Sequence, residues 1–179
     1  TKATYEQLNA ALGFKASPAP GVWFNIYGGY QDLKNDLLLS PIFYAQNTHN
    51  IYAGAEVSYS YKDIVSFSAS GVYRDWKISN EDANQLLSFK PSLEANFRMD
   101  LRPVPVVLVS LGYQHIAREK TDSEKVDPVG NLYLSGSYEL FKGISVYARA
   151  NNLLNKDYQY YWGCPAEGIN FLGGVSFQF

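Results

Sequence analysis

Apolar and polar residues alternate with a period of two in segment after segment of this 179-residue chain. In the clearest case, Ile51–Tyr61, apolar or small residues at the odd positions alternate with polar or small ones such as Glu56 and Ser58. This spacing places successive side chains on opposite faces of a β-strand. About nine segments of roughly ten residues follow it, which is the strand length that crosses a tilted membrane barrel. The sequence therefore predicts an all-β fold.

The connections between these segments alternate in length, which favours an antiparallel up-and-down meander. Short turns on one side and long loops on the other are typical of outer-membrane barrels. We therefore expect a transmembrane β-barrel, or a C-terminal portion of one. The pattern predicts short connections at 16–21, 62–63, 99–103 and 142–143 and long ones at 32–49, 77–84, 119–129 and 153–169. It also predicts that Pro91 interrupts a strand at 87–98 with a bulge, because proline cannot donate to a strand ladder.

The polar face of the predicted strands carries charged residues well inside the strand segments. A dry core would not hold such charges without partners, whereas a water-filled lumen would. The alternative is a soluble lipocalin-like barrel or sandwich whose apolar face points inward. The charges are Glu56, Arg74, Lys90, Glu94, Arg98, Glu139 and Arg149.

Composition excludes several functional classes. The formal net charge is -2 and no basic stripe is present, so a nucleic-acid surface is not expected. No apolar run approaches the roughly 18 residues of a spanning helix. Charged residues make up 18% of the chain and aromatic residues 16%, with 15 tyrosines. Tyrosine suits a boundary between apolar and wet surroundings.

No constellation for catalysis, cofactor binding or metal binding is found, and we expect a protein that is not an enzyme. His49 and His115 lie far apart in the sequence, and Cys164 is the only cysteine. Acidic residues at 122–127 lack the glycine and final glutamate of a calcium loop. The glycine pairs Gly28–Gly29 and Gly173–Gly174 fall inside strand segments, where they indicate close packing or curvature.

The last 35 residues carry a recognisable motif. It begins with Asn152, Leu153, Asn155, Lys156 and Tyr158 and continues through Gly163, Pro165, Gly168, Asn170, Phe171, Gly174 and the terminal Phe179. This stretch resembles the end of TonB-dependent outer-membrane receptors. The sequence departs from that pattern at Glu167-Gly168-Ile169, where the family often has Pro-Gly-Arg.

The resemblance implies a transport function in the outer membrane of a Gram-negative bacterium. Receptors of this family take up an iron chelate, a vitamin or a glycan through a large barrel, and a plug domain couples them to TonB in the inner membrane. We interpret residues 1–179 as a single barrel segment without a plug domain, so TonB would act only through a plug outside this chain. The alternative is an autonomous small outer-membrane barrel with a structural or adhesive role.

The final strand has a face of its own, formed by Phe171, Val175, Phe177 and Phe179. We expect these side chains to contact membrane lipid. The resemblance further implies that the barrel-assembly machinery reads such a strand as a folding signal. The first and last strands of so short a segment would be open edges, which predicts self-association through strand pairing.

An aromatic run in the last loop is the candidate ligand contact. Tyr158, Tyr160, Tyr161 and Trp162 could stack on a small-molecule or glycan ligand at the extracellular mouth, or belong to an interfacial aromatic belt. The sequence does not identify the ligand.

Overall fold

The computed structural model describes residues 4–40, 42–121, 126–161 and 163–178. It contains eleven strands and a 3-10 helix at Glu81–Phe89. The strands are β1 Glu6–Ala19, β2 Val22–Ser40, β3 Ile42–Tyr61, β4 Val65–Ile78, β5 Pro91–Val104, β6 Val107–Arg118, β7 Val129–Phe141, β8 Ile144–Asn151, β9 Gln159–Tyr161, β10 Cys164–Pro165 and β11 Asn170–Phe177.

Nine of these strands form one antiparallel sheet in the order β1 to β8 followed by β11. Consecutive strands from β1 to β8 pair with each other, and β8 pairs with β11. Between β8 and β11 in the chain, β9 and β10 form a separate two-stranded sheet. The predicted up-and-down meander is therefore confirmed. Among the described residues, β1 and β11 are the two edges and do not pair with each other. None of the described helices has the length and apolarity to span a membrane.

The strand register divides the side chains into two continuous faces. Phe24 of β2 lies opposite Val57 of β3, which in turn lies opposite Ala69 of β4. The same apolar face continues across the sheet to Val175 of β11. Many of its large apolar side chains are exposed, Leu12 to 87%, and others such as Phe24 are partly exposed. A large apolar face open to the surroundings is the pattern of a lipid-facing wall, and it argues against the soluble barrel with an inward apolar face.

The opposite face is polar and holds six of the seven charges predicted for it. The prediction is wrong for Lys90, which lies between the 3-10 helix and β5, because the helix replaces the first part of the predicted strand. Arg74 of β4 forms an ion pair with Glu94 of β5. Asn25 of β2 donates from Nδ2 to Glu56 Oε2 of β3 at 3.2 Å. Cross-strand contacts of this kind satisfy charged groups on a wetted wall.

Strands extend farther than the alternation predicts. Residues 32–49, predicted as a long loop, belong mostly to β2 and β3, which stay paired as far as Ser40 and Ile42. The predicted turn at 99–103 is also wrong, because β5 continues to Val104 and the turn lies at 105–106. Polar residues interrupt the alternation at both strand ends, so the alternation does not show how far these strands extend. The part of a strand that lies beyond a membrane does not need an apolar face.

The segment before Pro91 is helical and not extended. Leu87 and Phe89 lie in the 3-10 helix, so the strand predicted at 87–98 begins only at Pro91. The predicted bulge is present, as the pairing with β6 shifts between Pro91 and Leu93. Proline at the first residue of a strand costs no ladder hydrogen bond, which explains its position.

The buried apolar core lies at the end of the sheet that carries the long connections. There the extended β2–β3 hairpin and the end of β4 pack against the 3-10 helix. Its members are Leu33, Leu38, Trp76, Ile78, Leu86 and Leu87. The opposite end carries tight turns at 20–21, 62–64, 105–106 and 142–143, and Gly21 and Gly143 adopt positive φ there. The long connections thus form a folded region of their own.

Candidate functional site

The last loop, residues 152–169, is organised around the side chain of Asn152, which is 1% exposed. Its Nδ2 donates to the carbonyls of Lys156 and Glu167 at 2.9 and 3.0 Å, and its Oδ1 accepts from the Lys156 amide at 3.1 Å. The Asn152 amide donates to Asn131 Oδ1 of β7 at 2.9 Å. One asparagine therefore ties both ends of the loop to the sheet.

The other motif residues complete this scaffold. The Leu153 amide donates to the Leu132 carbonyl at 2.9 Å, and Asn155 Oδ1 accepts from the Ile169 amide at 3.3 Å. Asn152 and Asn155 have φ of 50° and 47°. Asparagine tolerates this left-handed region better than most residues. The motif thus fixes the shape of the loop.

Tyr158 is a structural residue of the loop, with only 5% of its surface exposed. Its ring packs edge-on against Tyr160 at a centroid distance of 5.5 Å. Burial, together with a hydrogen bond to Tyr160, raises the pKa of Tyr158 to about 12. Since so little of its ring is accessible, Tyr158 offers almost no face on which a ligand could stack.

Arg118, the last residue of β6, connects the last loop with the 3-10 helix. Its Nη1 donates to the Phe89 carbonyl at 3.0 Å. Its Nη2 donates to the carbonyls of Gln159 and Tyr160 at 3.0 and 3.2 Å. In addition, Tyr160 donates from its hydroxyl to Gln114 Oε1 on the polar face of β6 at 3.1 Å. The aromatic segment is thereby held over the polar face of the sheet.

A second tie joins the 3-10 helix to the β2–β3 hairpin. Lys90 Nζ lies 2.5 Å from Asp36 Oδ2, and these side chains are 19% and 10% exposed. Thr48 donates to the same Asp36 oxygen at 2.7 Å. Lys90 also lies 4.7 Å from the centroid of the Trp76 ring, a cation–π arrangement. Three long connections are therefore linked in series through Asp36, Lys90 and Arg118.

These ties enclose a pocket of about 290 Å³ between the hairpin, the helix and the last loop. Leucine, isoleucine and proline side chains form one part of its wall, and Phe89, Tyr160 and Tyr161 form another. Lys90 and Arg118 are the charged residues in the lining. The pocket is thus apolar, aromatic and cationic. Such a combination of an apolar wall with a few polar groups is characteristic of small-molecule sites.

A wider cleft of about 610 Å³ lies on the other side of the same tyrosines. Asn131, Asn151 and Asn170 line it together with Tyr160 and Tyr161. Asn151 Nδ2 donates to Asn170 Oδ1 at 3.0 Å, so part of the amide set is already paired. The two tyrosines therefore separate an apolar pocket from an amide-rich cleft.

The structure brings together two of the four aromatic residues predicted to contact ligand. Tyr160 and Tyr161 line the pocket and are 37% and 68% exposed. Tyr158 lies behind them in the loop scaffold. Trp162 lies outside the described residues. Ligand stacking stays a prediction for Tyr160 and Tyr161.

The predicted face of the last strand is separate from this pocket. Phe171, Val175 and Phe177 are exposed on the apolar face of β11. Phe179 lies outside the described residues. Contact of these side chains with membrane lipid stays a prediction.

Neither histidine takes part in a cluster. His49 packs against Tyr30 and His115 against Tyr113, both on the apolar face. Cys164 is exposed with a free thiol. Within the described part of the chain, no group of three His, Cys, Asp or Glu side chains is arranged to hold a metal.

Sequence analysis missed Arg118 and the partner of Lys90. Lys90 was identified only as a polar-face charge, and Arg118 was not singled out. Their partners are backbone carbonyls and a residue more than fifty positions away, Asp36. The sequence signal that could have identified these residues is a basic residue at a strand end beside a long connection. This signal does not identify the partner of the residue.

Comparisons with known proteins support the fold. No protein-family model matches the sequence, and no curated protein matches it. The copper transporter OprC matches 98% of this chain at 18% identity with a TM-score of 0.73, over 31% of its own chain. The ferric-catecholate import receptor Fiu from E. coli K12 matches 98% at 12% identity with a TM-score of 0.74, over 28% of its chain.

Further solved structures agree. The ferripyoverdine receptor of the outer membrane of Pseudomonas aeruginosa matches 98% of the chain at 11% identity and a TM-score of 0.71, over 27% of its own chain. OmpT of Vibrio cholerae matches 96% at 14% identity and a TM-score of 0.63, over 56% of its chain. The chain spans less than a third of the three larger proteins. The fold implied by the resemblance is confirmed: the chain has the fold of a segment of an outer-membrane β-barrel.

Proposed function

We propose that this chain is the C-terminal barrel portion of a TonB-dependent receptor in the outer membrane of a Gram-negative bacterium. The protein takes up a scarce nutrient, which is an iron chelate, a vitamin or a glycan. It acts as a transporter and not as an enzyme. The fold shared with OprC, Fiu and the ferripyoverdine receptor supports this proposal at the level of architecture.

The observation that carries the proposal is the coincidence of the last-loop motif with a defined structural role. The residues that resemble the receptor family, above all Asn152 and Asn155, make the hydrogen bonds that shape the loop between β8 and β11. A chance match of seven residues would not be expected to form the hydrogen bonds that shape this loop. The motif and the fold therefore point to the same family independently.

The apolar face and the strand edges are the surfaces that contact the proposed partners in the membrane. The exposed apolar face, including Phe171 and Phe177, contacts outer-membrane lipid. The barrel-assembly machinery recognises the last strand, β11. The edges of β1 and β11, which have no partner strand among the described residues, can pair with further strands or with a second copy of the chain.

The long connections capture the ligand in this proposal. They fold together at one end of the sheet, where Tyr160 and Tyr161 line the pocket. Coupling to TonB belongs to a plug domain, which the receptor family places inside the barrel. The polar face of the sheet, with its charged cross-strand pairs, is suited to surround such a domain.

Energised uptake tests the proposal. Cells that express the full-length receptor containing this barrel portion and its plug domain are supplied with labelled iron chelates, cobalamin and oligosaccharides, with and without a functional TonB. We expect accumulation of one of these ligand classes that disappears when TonB is deleted, at unchanged amounts of protein in the outer membrane. Accumulation of the same size in both strains contradicts the proposal, because passive passage does not need energy.

A small outer-membrane barrel with a structural or adhesive role is the second candidate. The match to OmpT, of which the chain covers 56%, favours it, since that barrel is closer in size. The lower TM-score of 0.63, compared with 0.73 for OprC, ranks it second. Ligand-independent adhesion of cells, with no accumulation of any nutrient class, would support it.

A further inference from the structure

The pocket beside the last loop contains a positive charge that has no ion-pair partner among the residues that the structure describes. Of its two cationic residues, Lys90 is paired with Asp36. Arg118 has carbonyl oxygens as hydrogen-bond partners and forms no ion pair among the described residues. Carbonyl groups are dipoles, so they stabilise the guanidinium without cancelling its charge. Glu94 is a carboxylate whose charge acts on Arg118, but Glu94 is itself paired with Arg74. The described lining of the pocket therefore has a net positive charge.

The guanidinium is also incompletely satisfied. Arg118 Nε is buried and has no hydrogen-bond partner among the described residues. A cation held away from water without a counter-charge is unfavourable, and an anion beside it relieves that cost. A bound anionic group would therefore be favoured in this pocket over a neutral group of the same shape.

The uncharged residues of the pocket lining determine which uncharged part of a ligand fits. Phe89, Tyr160 and Tyr161 contribute three aromatic rings, and Leu38, Leu86 and Ile116 contribute aliphatic surface. Ring faces and edges favour planar aromatic groups beyond their simple area. A purely hydrophilic anion such as phosphate would leave this apolar wall without a partner.

The volume sets the size of the group. At about 290 Å³, the pocket lies near the lower end of the range for small-molecule sites, about 300 to 1,000 Å³. It can accommodate one substituted ring, not a large chelate as a whole.

We propose that the pocket binds an aromatic ring that carries a carboxylate, with Arg118 as the counter-charge and Tyr160 and Tyr161 as the ring contacts. The inference rests on the proposed function, since it assigns the ligand chemistry recognised by the long connections. In a larger ligand, this aromatic acid is one arm and the amide-rich cleft accommodates the neighbouring part.

Two matched probes test the charge preference. The purified protein in lipid nanodiscs is titrated with para-fluorobenzoate and with para-fluorobenzyl alcohol, which has the same ring without the charge. Fluorine NMR reports binding, and nanodiscs without protein correct for partition into lipid. We expect the benzoate to bind at least about fivefold more tightly, because an uncompensated cation attracts it. Equal affinities, tighter binding of the alcohol, or no binding of either probe would overturn the inference.

Variants of Arg118 distinguish a role of its charge from a purely structural role. Arg118→Gln is expected to reduce the ratio of the two affinities to about one, whereas Arg118→Lys weakens both probes and keeps the ratio above one. A purely structural role of Arg118 would weaken both probes equally in both variants. Tyr161→Ala should weaken both probes, and Tyr5→Ala, which removes an exposed tyrosine just before β1, should change neither. Probe binding does not depend on transport. If energised uptake is observed but the pocket shows no preference for benzoate, this inference is overturned and the proposed function is not.

Discussion

The ring of Tyr133 on β7 lies over Gly112 of β6, so close that a Cβ atom on residue 112 would be 2.2 Å from Tyr133 Cζ. The same relation joins Tyr27 to Gly54, Tyr52 to Gly29 and Tyr147 to Gly174. All four pairs lie on the polar face. An aromatic ring that covers a glycine on the neighbouring strand protects the backbone and pins the register.

Gly112→Ala is therefore expected to destabilise the sheet by about 1 to 3 kcal/mol, because the new methyl group displaces the Tyr133 ring. Gly136→Ala is the matched control, since its Cβ would meet nothing closer than the Leu108 carbonyl at 3.9 Å. Urea unfolding from lipid vesicles measures both. If the two variants lose the same stability, the ring contact has no special role. The double variant Gly112→Ala, Tyr133→Ala should relieve the clash.

Sequence reasoning predicted the faces of the sheet better than its ends. Alternation identified which side of each strand is apolar, and Val57 and Glu56 lie on the faces expected for them. It also indicated close packing at Gly29 and Gly174, which the tyrosine contacts confirm. The outcome follows from strand geometry, because successive side chains point to opposite faces and two unlike faces therefore impose a strict period of two on the sequence.

The region of the long connections could not be predicted in this way. Its core depends on Leu38 meeting Leu86 and Leu87 across separate segments, and its ion pair joins Asp36 to Lys90. Such contacts are set by tertiary packing, which leaves no periodic signal. The last-loop motif was found by resemblance, but the role of Asn152 as the hydrogen-bond centre required the structure.

Lys90→Met is expected to loosen the 3-10 helix, because it leaves the largely buried Asp36 carboxylate with Thr48 as its remaining side-chain partner. We expect a local loss of about 2 to 3 kcal/mol, below the full cost of about 3 to 5 kcal/mol for a wholly buried pair. Native-state hydrogen exchange over residues 81–89 measures the effect.

Two controls accompany the Lys90 variant. Lys77→Met removes one partner of an exposed pair, whose side chains are 63% and 51% accessible, and should cost less than about 1 kcal/mol. The double variant Lys90→Met, Asp36→Leu should be less damaging than Lys90→Met alone, since no charge is then stranded. Equal exchange in the Lys90→Met and Lys77→Met proteins would contradict the assigned role of the ion pair.

Asn152→Gly is expected to open the last loop without straining its backbone. The variant loses the three side-chain hydrogen bonds of Asn152, which we estimate at about 2 to 4 kcal/mol in total. Asn152→Ala should cost about 1 kcal/mol more, because its φ of 50° disfavours a residue with a Cβ. Hydrogen exchange over residues 152–169 distinguishes them. An alanine variant as protected as the original protein would refute the proposed scaffold.

Arginine on the two faces of one strand should have opposite consequences. Val57 points to the apolar face and its neighbour Ser58 to the polar face of β3. If the apolar face contacts lipid, Val57→Arg destabilises the folded protein by about 2 to 4 kcal/mol near the bilayer centre, whereas a lumen-facing charge is tolerated. Urea unfolding from lipid vesicles provides the comparison. A greater loss for Ser58→Arg would reverse the assignment of the faces.

The buried Tyr158 makes the last loop sensitive to alkaline pH. Its pKa is raised from 10.0 to about 12 by burial, and the residue lies in the last loop, outside the strands of the nine-stranded sheet. The open loop therefore ionises first as the pH rises, and the folded loop loses stability between about pH 10 and pH 12. The difference in tyrosinate absorbance between the protein and Tyr158→Phe should have its midpoint near pH 12, and Tyr158→Phe should keep its last loop folded to higher pH. A midpoint near pH 10 would mean that Tyr158 is accessible to solvent and free to contact a ligand.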